Sequence, residues 1–130
     1  MYRGHLEYFS RKRFGGCFYH FFIEMRNIFV TANTGSKALN TLKSIQGKLP
    51  CLILLDYNLP EMSGAEILAK LKEMPQFDST VKVVWSTSNS PVYKKKCMEL
   101  GAYSYIVKPT GIAGIRAIAK QLIDICIGGA

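Results

Sequence analysis

Between Cys51 and Gly64 the chain reads CLILLDYNLPEMSG, five apolar residues in succession stopped by a single acid. A run without alternation is what a strand buried on both faces needs, the usual condition of a strand inside a parallel sheet. Asp56 ends the run, and Pro60 and Gly64 then break the chain into a loop ahead of the next helix. An acid at the carboxyl end of such a strand reaches the crevice where open α/β sheets bind their ligands. Asp56 is therefore a candidate site residue; the plainer reading of a strand-terminal aspartate is a turn or helix cap.

The flanking sequence repeats the theme. Asn27 to Ala32 reads as a short strand, Asn33-Thr34-Gly35 as a turn, and Ala38, Leu39, Leu42 and Ile45 recur at the spacing of an amphipathic helix over 36–46. Ser63 and Glu66 form an S-x-x-E capping box before a helix whose buried stripe is Ile67, Leu68, Leu71 and Met74. Val81 to Trp85 is a second apolar strand ending in Ser86-Thr87-Ser88, and Ser90-Pro91 starts a helix that Gly101 terminates. Tyr103 to Val107 is a third strand, stopping on Lys108-Pro109, and a last helix over 111–126 carries Ile112, Ile115, Ile118, Leu122 and Ile125 on one face. Earlier, Cys17 to Met25 is rich in aromatics and reads as the end of a helix packed on the sheet, while residues 1–16 give no assignment. Strand and helix alternating through short connections imply a doubly wound parallel sheet with helices on both faces. Because parallel strands end on one edge, Asp56, Ser86 and Lys108 converge there.

Composition sets the remaining bounds. The 130 residues suffice for one domain, and 48% hydrophobic with 20% charged residues is ordinary for a globular chain. The net charge of +8 is less ordinary, but Arg11-Lys12-Arg13 and Lys94-Lys95-Lys96 are its only runs and no nucleic-acid reading motif accompanies them. No G-x-G-x-x-G or Walker-type loop supports a nucleotide cradle. Cys17, Cys51, Cys97 and Cys126 lack C-x-x-C spacing; Cys51 and Cys126 read as small core residues of a reducing compartment. No stretch is apolar for the roughly 20 residues that span a bilayer. His20 interrupts the only signal-like segment, so a cytoplasmic location is expected, with no membrane and no nucleic acid as partner.

These residues resemble the receiver domain of two-component response regulators, the chemotaxis-protein-like phosphorylatable α/β domains. The resemblance rests on Asp56 in D-Y-N-L-P-E-M-S-G, the hydroxyl residue Ser86, the aromatic Tyr105 in G-A-Y-S-Y, and Lys108-Pro109, and it spans about residues 27–126. It implies a flavodoxin-like five-stranded sheet in the order 2-1-3-4-5. It further implies Asp56 as phosphoacceptor, Ser86 as switch hydroxyl, Tyr105 as switch aromatic, Lys108 as the cation on the phosphoryl group, and Mg²⁺ held by Asp56 and the Asn58 carbonyl. The partners implied are a sensor histidine kinase or phosphotransfer protein and an output protein. Residues 1–16 are an atypical N-terminal segment and 17–130 a single receiver domain, with no output domain after the last helix. The expected role is signalling, with no enzymatic activity beyond the receiver's own aspartyl phosphorylation and dephosphorylation.

The chemistry fits the residue types: a carboxylate accepts a phosphoryl group as an acyl phosphate, and the charge of the transition state calls for a cation and a metal rather than a base. The departure lies before Asp56. The family places an acid pair at the end of its first strand, whereas here Glu7 and Glu24 are the only carboxylates upstream of Asp56, with Glu7 the nearer to the expected position. Two functions stand on these residues: a stand-alone phosphorylated receiver, and a pseudo-receiver that binds partners without metal-dependent phosphorylation.

Overall fold

Alternation along Leu52–Asp56 divides one apolar run between two cores. The computed structural model describes residues 21–25, 28–32, 34–45 and 49–127, those of 21–31 and 126–127 by backbone alone. In chain order the elements are β1 (Phe21–Met25), β2 (Ile28–Ala32), α1 (Gly35–Ser44), β3 (Leu52–Asp56), α2 (Gly64–Lys72), a 3₁₀ turn at Pro75–Phe77, β4 (Val81–Ser86), α3 (Pro91–Glu99), β5 (Ser104–Val107) and α4 (Ile112–Ile127). All five β3 residues are buried. Ile53 and Leu55 pack with Ala38, Leu39 and Leu42 of α1, Ile67, Leu68 and Leu71 of α2, and Cys97 of α3. Leu52 and Leu54 pack on the other face with Val83 and Trp85 of β4 and Ile115, Ala119 and Leu122 of α4. Each fully buried aliphatic side chain contributes about 1.5–3 kcal/mol, so the run that ends on Asp56 is anchored from both sides.

β3, β4 and β5 are parallel, with Leu54 opposite Val83 and Val84 opposite Tyr105. This is the parallel sheet with flanking helices that the sequence leads one to expect. The helix starts follow their local chemistry. Thr34 Oγ1 accepts from Lys37 N at 3.2 Å to cap α1, Ser63 and Glu66 form the reciprocal capping box of α2, and Ser90 caps α3 ahead of Pro91. Gly101 takes φ +96° where α3 ends, the left-handed conformation that glycine adopts without strain.

Beyond β3 the sheet continues as a hairpin, in the order β2-β1-β3-β4-β5. Here the expectation of a wholly parallel sheet is corrected: β1 is antiparallel to both β2 and β3. Two residues of sequence separate β1 from β2, and a parallel pair needs a crossover of a dozen residues or more, so the connection permits only a hairpin. The expected helix end in the Cys17–Met25 run is likewise corrected over its described part, because Phe21–Met25 is a strand; Phe21, Phe22 and Ile23 are residue types enriched in strands. On α4, Ile115 and Leu122 are buried and Ile118 and Ile125 partly so, but Ile112 is 47% exposed, since it lies in the first turn before the helix reaches the sheet. Cys51, partly buried just before β3, is disulfide-bonded rather than a free core thiol, its partner lying outside the described side chains. Cys97 is buried and free, and burial pushes its thiol pKa up. The atypical segment 1–16, Glu7 included, lies outside the described residues.

Candidate functional site at the carboxyl edge of the sheet

Asp56 sits opposite Trp85 at the end of β3 and is fully buried. Both of its carboxyl oxygens meet donors, as a buried polar group requires: Oδ1 accepts from the Asn58 amide at 2.9 Å, and Oδ2 is paired with the Lys108 ammonium. The backbone is fixed just as firmly. Tyr57 N donates to Trp85 O at 2.9 Å, and Gly64 N donates to Tyr57 O at 2.8 Å, so the loop after Asp56 is tied to β4 on one side and to the start of α2 on the other. A Cβ on Gly64 would stand 3.0 Å from both the Asp56 carbonyl oxygen and Tyr57 Cα. Gly64 is thus more than a chain breaker: its bare Cα lets α2 begin directly against the backbone of the acid.

Lys108 arrives from the end of β5. Its amide donates to Ser86 O at 2.7 Å, and its ammonium lies 5.3 Å from the centre of the Trp85 ring, close enough for a cation–π contact. Pro109 packs on α4 where Gly114 leaves room, for a Cβ there would come within 2.7 Å of the proline ring. Ser86 is fully buried, and its hydroxyl accepts from Ser88 N at 3.0 Å. Tyr105 is turned inward, buried, with its hydroxyl donating to the Ser88 carbonyl at 2.7 Å. The four residues expected at the site therefore meet at one edge, and Ser88, which sequence reasoning passed over, stands between Ser86 and Tyr105. The alternating serines of Ser86-Thr-Ser88-Asn-Ser90 were the available signal.

The neighbouring loop is pinned to α1. Gly35 N donates to Pro60 O at 3.1 Å, and the Glu61 carboxylate accepts from Ser36 N at 3.2 Å. Those hydrogen bonds from Ser36 hold the Glu61 pKa below its ordinary value. Glu61 does this from a left-handed backbone, φ +74°. Tyr57 is buried beside it, and desolvation pushes its phenol up.

The expected metal set is not met by the described residues. Among them no three His, Cys, Asp or Glu side chains come together, and the two oxygens of Asp56 already face an ammonium and an N–H. Glu24 is opposite Leu52, the far end of β3 from Asp56. Four residues of strand separate the two positions by roughly 13 Å, so Glu24 does not supply the missing acid. The described residues alone do not fit a divalent cation, and Glu7, the remaining candidate, lies outside them.

A buried carboxylate held by a lysine at the carboxyl edge of a parallel sheet, with a hydroxyl and a buried tyrosine alongside, defines an α/β domain whose site lies at the ends of its parallel strands. The chain belongs to the response regulator receiver domain family, whose model matches residues 19–120. It is 30% identical over 93 residues to the two-component response regulator ORR3 of Oryza sativa subsp. indica, covering 72% of this chain and 70% of that protein. It is 38% identical over 95 residues to ORR11 of the same subspecies, covering 72% of this chain and 63% of that protein. Among solved structures, the phosphorylated cyanobacterial phytochrome response regulator RcpA superposes with a TM-score of 0.70 at 30% identity, over 78% of this chain and 75% of that one. The Mn²⁺-bound form of the response regulator Rcp1 shares the fold at a TM-score of 0.67 and 23% identity, over 92% of this chain and 84% of that one. Phosphorylation, partner docking and Mg²⁺ binding are general in this family.

Proposed function

We propose that this receiver takes a phosphoryl group onto the Asp56 carboxylate from a histidine kinase or phosphotransfer protein, and signals by docking an output partner. The observation that carries the reading is the Asp56–Lys108 pair at the common edge of β3 and β5. One carboxylate oxygen attacks phosphorus as the bond to the donor's imidazole nitrogen breaks. The imidazole leaves with the electron pair and takes a proton from water. Lys108 stays beside the added oxygens and offsets their charge, and such charge-assisted hydrogen bonds contribute about 1.5–3 kcal/mol each. Ser86 and Tyr105 are the switch pair, biasing two arrangements of one loop. A cytoplasmic location belongs to the same proposal; no helix among the described residues is long and apolar enough to cross a membrane. Its only catalysis is of its own aspartyl phosphorylation and dephosphorylation.

The second reading, a pseudo-receiver that binds partners without metal-dependent phosphorylation, is favoured by one observation, the absence of an acid cluster among the described residues. Radiolabelled acetyl phosphate, offered with and without Mg²⁺, separates the two. Label confined to Asp56 and absent from Asp56→Asn supports the receiver. A protein that takes none from either acetyl phosphate or a phosphotransfer protein is a pseudo-receiver.

A further inference from the structure

The loop between β4 and α3 is a chain of serine hydroxyls, each holding an amide further on. Ser86 Oγ accepts from Ser88 N at 3.0 Å, Ser88 Oγ from Ser90 N at 3.2 Å, and Ser90 Oγ from Tyr93 N at 3.4 Å. The first hydroxyl is buried in the site and the last is the cap of α3. Ser88 uses a different atom for each neighbour: its amide for Ser86, its carbonyl for Tyr105 and its hydroxyl for Ser90. A second route reaches the same helical turn, because Tyr57, the residue after Asp56, stacks on Tyr93 with ring centres 4.6 Å apart and planes 17° from parallel. Apolar burial holds α3 mainly toward its far end, where Leu100 packs on the core. Cys97 is its one buried residue, while Val92 and Met98 are 71% and 42% exposed. A helix with few apolar anchors takes its position from the contacts at its first turn.

We propose that Ser88 is a positioning residue that ties the orientation of the Ser86 hydroxyl to the first turn of α3, and that Tyr93 registers this turn against the Asp56 loop. When the Ser86 hydroxyl turns away, the Ser88 amide loses its acceptor, the loop shifts, and the Ser88 hydroxyl carries the shift to Ser90 and the cap. What turns Ser86 in the working protein rests on the proposed phosphorylation of Asp56, but the link itself exists in the unphosphorylated chain and is tested there.

The test is amide exchange of Tyr93, followed by NMR in the full unphosphorylated protein. Ser86→Ala and Ser88→Ala are each expected to speed exchange about fivefold, with the double variant no faster than either, whereas Ser88→Thr, which keeps the hydroxyl, stays within about twofold of the native chain. Tyr93 exchange unmoved by Ser86→Ala overturns the link, as does a double variant in which the effects multiply. With acetyl phosphate, exchange of the Tyr93 amide is expected to speed as Asp56 is labelled, and to gain no further speed in Ser88→Ala although the label enters, while the Tyr93 ring still reports the Tyr57 stack in both proteins. Failure to label Asp56 removes the proposed phosphorylation and leaves the exchange data to decide the link.

Discussion

Lys108 sets its ammonium against Oδ2 of Asp56, a residue 52 positions earlier, while the Asn58 amide holds the other oxygen. The side chain of Asp56 is 1% exposed and that of Lys108 11%, so the pair is shielded from water and each member depends on the other. Removing one partner of a buried pair costs more than removing both, because the survivor is left uncompensated.

Lys108→Ala is accordingly expected to lower stability by about 3 kcal/mol, the low end of the range for a broken buried pair, since the Asn58 amide still faces the carboxylate. The double variant Asp56→Asn with Lys108→Ala should recover most of that loss. Urea denaturation of the four proteins in the cycle measures both quantities. A double variant as unstable as Lys108→Ala alone would mean that Lys108 acts through Trp85 or Pro109 rather than through the acid.

Gly64→Ala places a methyl 3.0 Å from the Asp56 carbonyl oxygen and from Tyr57 Cα. Overpacking against backbone costs typically about 1–3 kcal/mol, which exceeds the gain of up to about 1 kcal/mol from replacing glycine by alanine in a helix. The expected net result is a loss of up to about 2 kcal/mol and slower uptake of label at Asp56. Equal stability with native uptake would show that α2 can retreat without disturbing the acid.

The parallel part of the sheet and the meeting of Asp56, Ser86 and Lys108 were legible because both follow from strand direction: once three buried runs are parallel, their ends share an edge. The hairpin was not legible, since the Cys17–Met25 run satisfies a helix face as well as a strand, and only the two-residue spacing to Ile28 decides. Ser88 and Tyr93 were missed for another reason. Their roles depend on which backbone atom a loop turns toward its neighbour, and neither periodicity nor composition reports that. Ile112 shows the limit of face-counting, as a position with the right period can still fall short of the layer it should cover.

Glu61 contributes through its ionised form, because the hydrogen bonds from Ser36 depress its pKa below the ordinary 4.5. A carboxyl whose folded-state pKa is depressed adds stability that is present above the unfolded value and is lost as pH falls through the folded one. The stability advantage of the native chain over Glu61→Gln should therefore be largest near neutrality and shrink as pH drops below 4.5. Glu61→Gly separates the two features of the site, since glycine relieves the left-handed backbone while deleting the carboxylate. Its stability relative to the native chain should rise as pH falls. A difference between Glu61→Gln and the native chain that does not change with pH would detach the carboxylate from the start of α1.

The metal supplies the sharpest test. Divalent cations of this kind are held by clustered oxygens, and Mg²⁺ gives up its waters reluctantly. At this edge the Asp56 charge is already matched by Lys108, and Glu24 stands opposite Leu52 at the other end of the strand. Mg²⁺ is thus expected to bind much more weakly than in a receiver with an acid pair, and phosphorylation from small donors should be slow. Trp85 offers the probe, lying opposite Asp56 in the sheet with the Lys108 ammonium near its ring. Titration is expected to leave its fluorescence unsaturated beyond the low millimolar range. Saturation below that, abolished by Asp56→Ala and also by Glu7→Gln, would identify Glu7 as the acid that completes the site, and the pseudo-receiver reading would then lose its support.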